Sequence, residues 1–198
     1  MSPRPDVSEE RKKQITEAAT TVFSRQGFHK SRISDIASEA GLSKGTLYLY
    51  FKSKDEIIVS LLANLFDREF SYLHELKDNS LPAADRLLEY SRNLSKSLIK
   101  WERLIPILFE FASRISRQNV VQQAFKTYFH TYLEMLSPII QQGIDSGEFK
   151  SNNTQEIAST LCAIFEGTIL LWIYDREYFN LQSQVYTSIQ LLLEGIKV

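Results

Sequence analysis

The chain has 198 residues, of which 43% are hydrophobic and 24% charged, with only seven Gly and five Pro, so collagen-like, disordered and low-complexity classes are excluded. One domain or two small ones, with room for a sizeable core, fit this length. The single Cys, Cys162, has no internal disulfide partner, and the polar start Met1–Asp6 lacks the apolar stretch of a secretory signal. With no unbroken run of ~18 apolar residues either, the expectation is a cytoplasmic protein. The net charge of −1 hides an asymmetry, because residues 1–55 carry ten Lys and Arg against seven Asp and Glu, whereas 56–198 carry thirteen against seventeen. A basic module on a mildly acidic body suits a chain whose first part approaches a polyanion.

Apolar residues recur at spacings of three and four almost throughout, and no useful length shows the period-2 alternation of strands, so the chain is predicted to be all-α with about nine helices. The first begins near Ser8 as N-cap, buries Ile15, Ala18, Ala19, Val22 and Phe23, and stops at Gln26-Gly27. Short helices follow at 33–40 and 44–50, separated by Gly41-Leu42-Ser43. Beyond Lys52–Asp55 a long helix runs to about Leu76, burying Ile57, Ile58, Leu61, Leu62, Leu65, Phe66 and Phe70. Asp78–Pro82 breaks it. Further helices are expected at about 83–100, 102–116, 118–145, 154–174 and 181–197, with Gly147 and Ser151-Asn152-Asn153 as one boundary and with Pro106 and Pro138 as points of kinking or restart.

The segment Ser34–Tyr48 reads as a helix-turn-helix. Ile36, Ala37, Ala40, Leu42 and Leu47 form an apolar seam, Gly41 takes the positive φ of the turn, and Ser43 caps the second helix. That helix presents Lys44, Gly45, Thr46, Tyr48 and Tyr50 outward, a set suited to a major groove. Lys serves phosphate or guanine, Gly allows close backbone approach, Thr meets a thymine methyl and Tyr hydroxyls meet phosphates. The same pattern also fits an αα-corner with a polar surface. One such module contacts too little DNA to select a site, whereas two related by a two-fold axis read a palindrome. Ile157, Leu161, Phe165, Thr168 and Trp172, then Val185, Ile189, Leu192 and Ile196, are more apolar than one surface layer requires, which fits a dimer interface or two ordinary core helices.

The run Ser43-Lys44-Gly45-Thr46-Leu47-Tyr48-Leu49-Tyr50-Phe51-Lys52-Ser53-Lys54-Asp55 resembles the signature of the TetR family of bacterial regulators, and Ala18-Ala19, Phe23, Gly27-Phe28, Ile36-Ala37 and Ala40-Gly41-Leu42 stand where that family has them. The resemblance spans about residues 8–65. It implies an all-α homodimer with a helix-turn-helix domain at 1–53 that binds an operator, and a helical domain at 54–198 that dimerises and binds a small releasing molecule. By position, Lys44, Gly45, Thr46, Tyr48 and Tyr50, with the cap Ser43, resemble the DNA-contacting set, and Ser31, Arg32, Ser34 and Lys54 resemble backbone contacts. The family often has two Thr at the Ser31-Arg32 position and His at the Tyr50 position.

For the effector, the aromatics between Phe66 and Trp172 either fill the core or line an apolar pocket, with Phe66, Phe70, Trp101, Phe109, Phe129 and Phe165 as candidates. Gly143–Phe149 and Trp172–Asp175 resemble the fatty-acid-degradation repressors of the family, which respond to long-chain acyl-CoA; a multidrug-type effector with control of an efflux gene, or a ligand-binding protein that no longer reads DNA, are the alternatives. Catalysis is not expected. His130 and Glu134 make half a metal site at most, Cys162 sits in an apolar helix, and no phosphate loop or nucleophile elbow occurs, so no metal and no cofactor are assigned.

Overall fold

A computed structural model describes residues 5–77, 80–114, 119–151 and 153–198, with only the backbone described at Pro5, Asp6, Leu65 and Arg68. Nine helices occur among them: α1 Pro5–Gln26, α2 Ile33–Glu39, α3 Lys44–Tyr48, α4 Lys54–Lys77, α5 Ala83–Lys100, α6 Ile105–Ala112, α7 Asn119–Asp145, α8 Thr154–Tyr174 and α9 Leu181–Ile196. The expected all-helical class is what the chain adopts. The predicted break at Asp78-Asn79, the burial of Leu65, the helix end at Ser116, the helix start at Gln118 and the Asn152 part of the turn lie outside the described residues.

Boundaries differ from expectation where a better terminus was available. α1 is already helical at Pro5, where the described residues begin, so it extends ahead of the expected cap Ser8. α6 starts at Ile105 with Pro106 in its first turn, so residues 101–104 form turns. Pro138 lies inside α7, which continues through it.

Contacts gather the chain into two compact units, residues 1–66 with 102–125, and 67–101 with 126–198. In the first, α1 buries Ile15, Ala19, Val22 and Phe23 as its 3.6-residue spacing requires, and Gly27 at φ +79° ends it with its N–H on Phe23 O at 2.8 Å. α2 packs on α1 and α3 on α2 through Ile36, Ala37 and Leu47. α6 belongs to this unit: Phe111 is fully buried with its ring 5.6 Å from Phe28, whose ring lies 5.2 Å from Phe23.

The second unit is built on α5, which packs against α9, while α9 also packs on α8. Its interior is aromatic. Tyr90 and Tyr132 are buried 6.2 Å apart, and Phe165 stands edge-on to both at 5.9 and 6.3 Å. The segment 143–149 closes one end. Gly147, at φ +75°, turns the chain; Glu148 accepts the N–H groups of Ala83 and Ala84 at 2.7 and 2.9 Å, capping α5; and Phe149 is buried against Gly143. Lys150 N–H then meets Ile196 O at 2.8 Å and ties in the last turn of α9. These contacts give Gly-x-x-x-Gly-Glu-Phe a structural job in full. α8 is the one helix among the described residues long and apolar enough to cross a membrane by length and composition, and its Ala158, Leu161, Cys162 and Phe165 are buried within the unit.

Candidate nucleic-acid interface

The helix-turn-helix is built from short-range devices that the sequence specifies. The Asp35 carboxylate accepts the Arg32 N–H at 3.0 Å and the Gln26 amide at 3.0 Å, fixing the entry to α2; the Arg32 N–H above all, helped by Gln26, holds this carboxyl below the usual carboxylate range. At the exit, Gly41 has φ +65°, its N–H reaches Ser38 O at 3.1 Å, and Leu42 N–H reaches Ala37 O at 2.8 Å. Gln14 of α1 donates to Ala40 O at 2.7 Å, which anchors the turn to the first helix. Ser43 Oγ accepts the Thr46 N–H at 3.0 Å and lies 2.8 Å from Thr46 Oγ1. The expected N-cap is therefore formed.

α3 is five residues long, shorter than the 44–50 expected, and only Leu47 on it is buried. Ser43, Lys44, Gly45 and Tyr48 are exposed, and Thr46 and Tyr50 are half-buried. Lys44 Nζ sits 5.8 Å from the Tyr48 ring, so the cation and the aromatic share a face. Arg32 and Ser34 are exposed beside Asp35, with Ser34 Oγ 3.4 Å from its carboxylate.

Two of the residues matched by position do not face outward. Ser31 is buried and its hydroxyl donates to Gly27 O, closing the α1–α2 loop. Lys54 is half-buried: its ammonium donates to Phe28 O, to Ser31 O at 2.9 Å and to His29 O at 3.3 Å, and lies 4.3 Å from the Phe28 ring. Burial, with the neighbouring Arg114, pulls its pKa down from the usual lysine range. As they stand, both side chains hold the loop and have no donor left over for a phosphate.

One exposed residue was missed. Leu49 is 81% exposed, next to Tyr48. The signal lay in the spacing, since Leu47 and Phe51 are both buried and the residue midway between them projects to the other side.

The residues named for dimer contact are mostly covered within the chain itself. Ile157, Leu161, Phe165, Thr168 and Trp172 on α8 and Val185 and Ile189 on α9 are all buried within the single chain, and only Leu192 and Ile196 keep partial exposure. Periodicity identified the apolar faces of α8 and α9, but those faces are filled from within. What the two helices leave outside is Leu171, Tyr174 and Leu191.

The six aromatics named for a pocket do not form one set. Phe66 and Phe109 are half-buried in the first unit. In the second, Phe165 is core, Phe70 packs 5.7 Å from Tyr128, Trp101 is half-buried after the end of α5, and Phe129 is exposed with its ring 6.1 Å from His130. Tyr90, Tyr128 and Tyr132 belong to the aromatics expected between Phe66 and Trp172, and the polar residue that sequence missed beside them is the buried Glu69. Burial pushes Glu69 above the usual carboxylate range and the tyrosines above theirs. Cys162 is buried with Sγ 3.9 Å from Glu166, and burial pushes its thiol up to about 12, so it is no nucleophile near neutral pH. Among the described residues no three His, Cys, Asp or Glu gather as a metal site requires.

Residues 15–61 match the family of bacterial regulatory proteins of the tetR type, and residues 101–198 match the C-terminal region of QacR-like proteins. A helix-turn-helix regulator of Bacillus subtilis, YfiR, is 30% identical over 158 residues, 76% of this chain and 74% of that protein. The chain belongs to the TetR family. It is thus a DNA-binding transcriptional regulator that reads operator DNA, not an enzyme. The fatty acid metabolism regulator protein of B. subtilis is 28% identical to this TetR-family chain over 185 residues, 92% of the chain and 94% of that protein. A crystal structure of the B. subtilis regulator FadR in complex with stearoyl-CoA superposes with TM-score 0.80 at 26% identity, covering 93% of this chain and 98% of that one.

Proposed function

We propose that this TetR-family regulator is a cytoplasmic repressor that binds a palindromic operator as a homodimer and leaves it when a long-chain acyl-CoA binds. The helix-turn-helix part, residues 1–53, reads DNA and 54–198 carries effector binding and dimerisation. Lys44, Tyr48, Thr46 and Tyr50 contact the groove with Ser43 and Gly45, while Arg32 and Ser34 meet phosphates. Gly45 supports this reading, because within the chain a side chain there would meet only Ser43 Oγ at 3.8 Å. Among the described residues nothing else fills that space, so the bare backbone at Gly45 leaves room for close approach by a groove.

The dimer uses the outward faces of α8 and α9, with Leu171, Tyr174 and Leu191. The effector assignment is supported by the stearoyl-CoA that the B. subtilis FadR structure holds and by the aromatic interior around Tyr90, Tyr132 and Phe165. The match of residues 101–198 to the QacR-like C-terminal region favours a second reading, a different hydrophobic effector.

The test starts from duplexes selected by the protein out of a random pool. Fluorescence anisotropy then follows release of the best duplex as stearoyl-CoA, stearate or coenzyme A is titrated. Release by stearoyl-CoA alone is the expected result. Retention of the duplex at saturating stearoyl-CoA removes the acyl-CoA from the account, and failure to select any duplex removes the operator as well.

A further inference from the structure

We propose that Glu110, on α6 and more than fifty residues beyond the helix-turn-helix, is a positioning residue for DNA reading. The inference rests on the operator-binding role above and concerns the first compact unit alone, to which both partners belong.

The loop between α1 and α2 decides how α2, and α3 packed on it, leave the first helix. Five backbone groups at its apex are held by side chains from elsewhere. Glu110 Oε1 accepts the His29 N–H at 2.8 Å and Oε2 the Phe28 N–H at 3.2 Å. Lys54 takes the carbonyls of Phe28, His29 and Ser31. The Phe28 ring is buried between Phe23 and Phe111, the residue after Glu110, and Arg114 stands 5.3 Å from the same ring while binding Asp55 at 2.6 Å. Gly27 brings the loop close: a side chain there would lie 3.8 Å from Glu110 Oε2.

A carboxylate is the one side-chain group that offers an oxygen to each of two adjacent N–H donors, and these charge-assisted bonds are stronger than neutral ones. Glutamine keeps the size but presents one oxygen and an N–H₂, so one of the two loop donors loses its acceptor. The loop then has a choice of conformations, and the fraction of molecules with α2 and α3 set for DNA falls. Affinity falls with that fraction even though no group that touches DNA has changed.

Glu110→Gln, Glu110→Asp and the parent are compared on the duplex selected by the parent. Glu110→Gln should bind about tenfold more weakly or worse. Its salt dependence should stay parallel to that of the parent, because the phosphate contacts remain. Amide hydrogen exchange at Phe28 and His29 should quicken in the free protein and be slow again in the DNA complex. Glu110→Asp, which keeps both oxygens on a shorter stem, should lie between. Affinities are expressed per folded molecule, from circular dichroism at the assay temperature, so that loss of stability is scored apart. Parental affinity in folded Glu110→Gln overturns the proposal, and so does an unchanged exchange rate at Phe28 and His29. A flattened salt dependence would instead mean that the substitution removes cation–phosphate contacts made by other side chains, and would overturn the proposal in another way.

Discussion

Lys44 and Tyr48 reach solvent from a helix with one buried residue, so neither contributes much to the core, and truncating them should separate binding from folding. Lys44→Ala and Tyr48→Phe are expected to weaken operator binding by about 1–3 kcal/mol where a base edge is read, with the melting temperature nearly unchanged. Lys44→Ala should also flatten the dependence of log affinity on log salt by about one counterion if it meets a phosphate. A drop in melting temperature without a binding defect would place these residues in the fold instead. Glu69 offers the opposite case. It is buried, its Oε2 has no hydrogen-bond partner, and burial raises its pKa above the unfolded value, with Ser97 and Lys100 pulling only partly the other way. The native state therefore holds the proton longer than the unfolded chain does. Its contribution to stability is fully present below the unfolded pKa and is lost as pH rises through the folded one. Glu69→Gln, which mimics the protonated acid, should be more stable than the parent at pH 8 and about equal to it near pH 3.5, as followed by thermal unfolding across that range.

At the scale of elements, what the sequence made legible was whatever depends on near neighbours. The apolar face of α1, the caps at Gly27 and Ser43 and the turn at Gly41 are each set within about four residues, and each stands as expected. What was not legible depends on distant partners. Lys54 and Ser31 look like exposed polar residues in sequence, and only the folded loop shows their donors consumed. Glu110 carries no local signal, because its two acceptor oxygens are used 82 and 81 residues away. Apolar faces on α8 and α9 were found correctly as faces, yet periodicity does not say whether a face is covered by the same chain or by another. Gly143 and Gly41 separate two reasons for glycine. At Gly143 a Cβ would run into the Phe149 ring and lie 2.8 Å from Ala83 Cβ, so Gly143→Ala overpacks the junction of α5 and α7 and should cost about 1–3 kcal/mol. At Gly41 the space is open but φ is +65°, so Gly41→Ala should cost about 1–2 kcal/mol of backbone strain alone. Denaturant unfolding checks both, and a compensating larger-to-smaller change at Phe149 should rescue the first and not the second.

For the whole molecule, release by an effector requires that operator and effector favour different conformations of the proposed dimer. An effector that bound both conformations equally would release nothing, however tightly it bound. The helix α4 begins at Lys54, whose ammonium holds the α1–α2 loop, and reaches Glu69 and Phe70 in the aromatic unit, which makes it the element along which we propose the two events are linked. Linkage is reciprocal, so the factor by which stearoyl-CoA lowers operator affinity must equal the factor by which operator lowers stearoyl-CoA affinity, with a coupling of about 1–3 kcal/mol. Calorimetric titration of stearoyl-CoA into the free protein and into the protein saturated with its selected duplex measures that second factor. Stearoyl-CoA should bind the DNA-bound protein more weakly than the free protein, by the factor seen in the release experiment. Equal affinity for the free and the DNA-bound protein would contradict it.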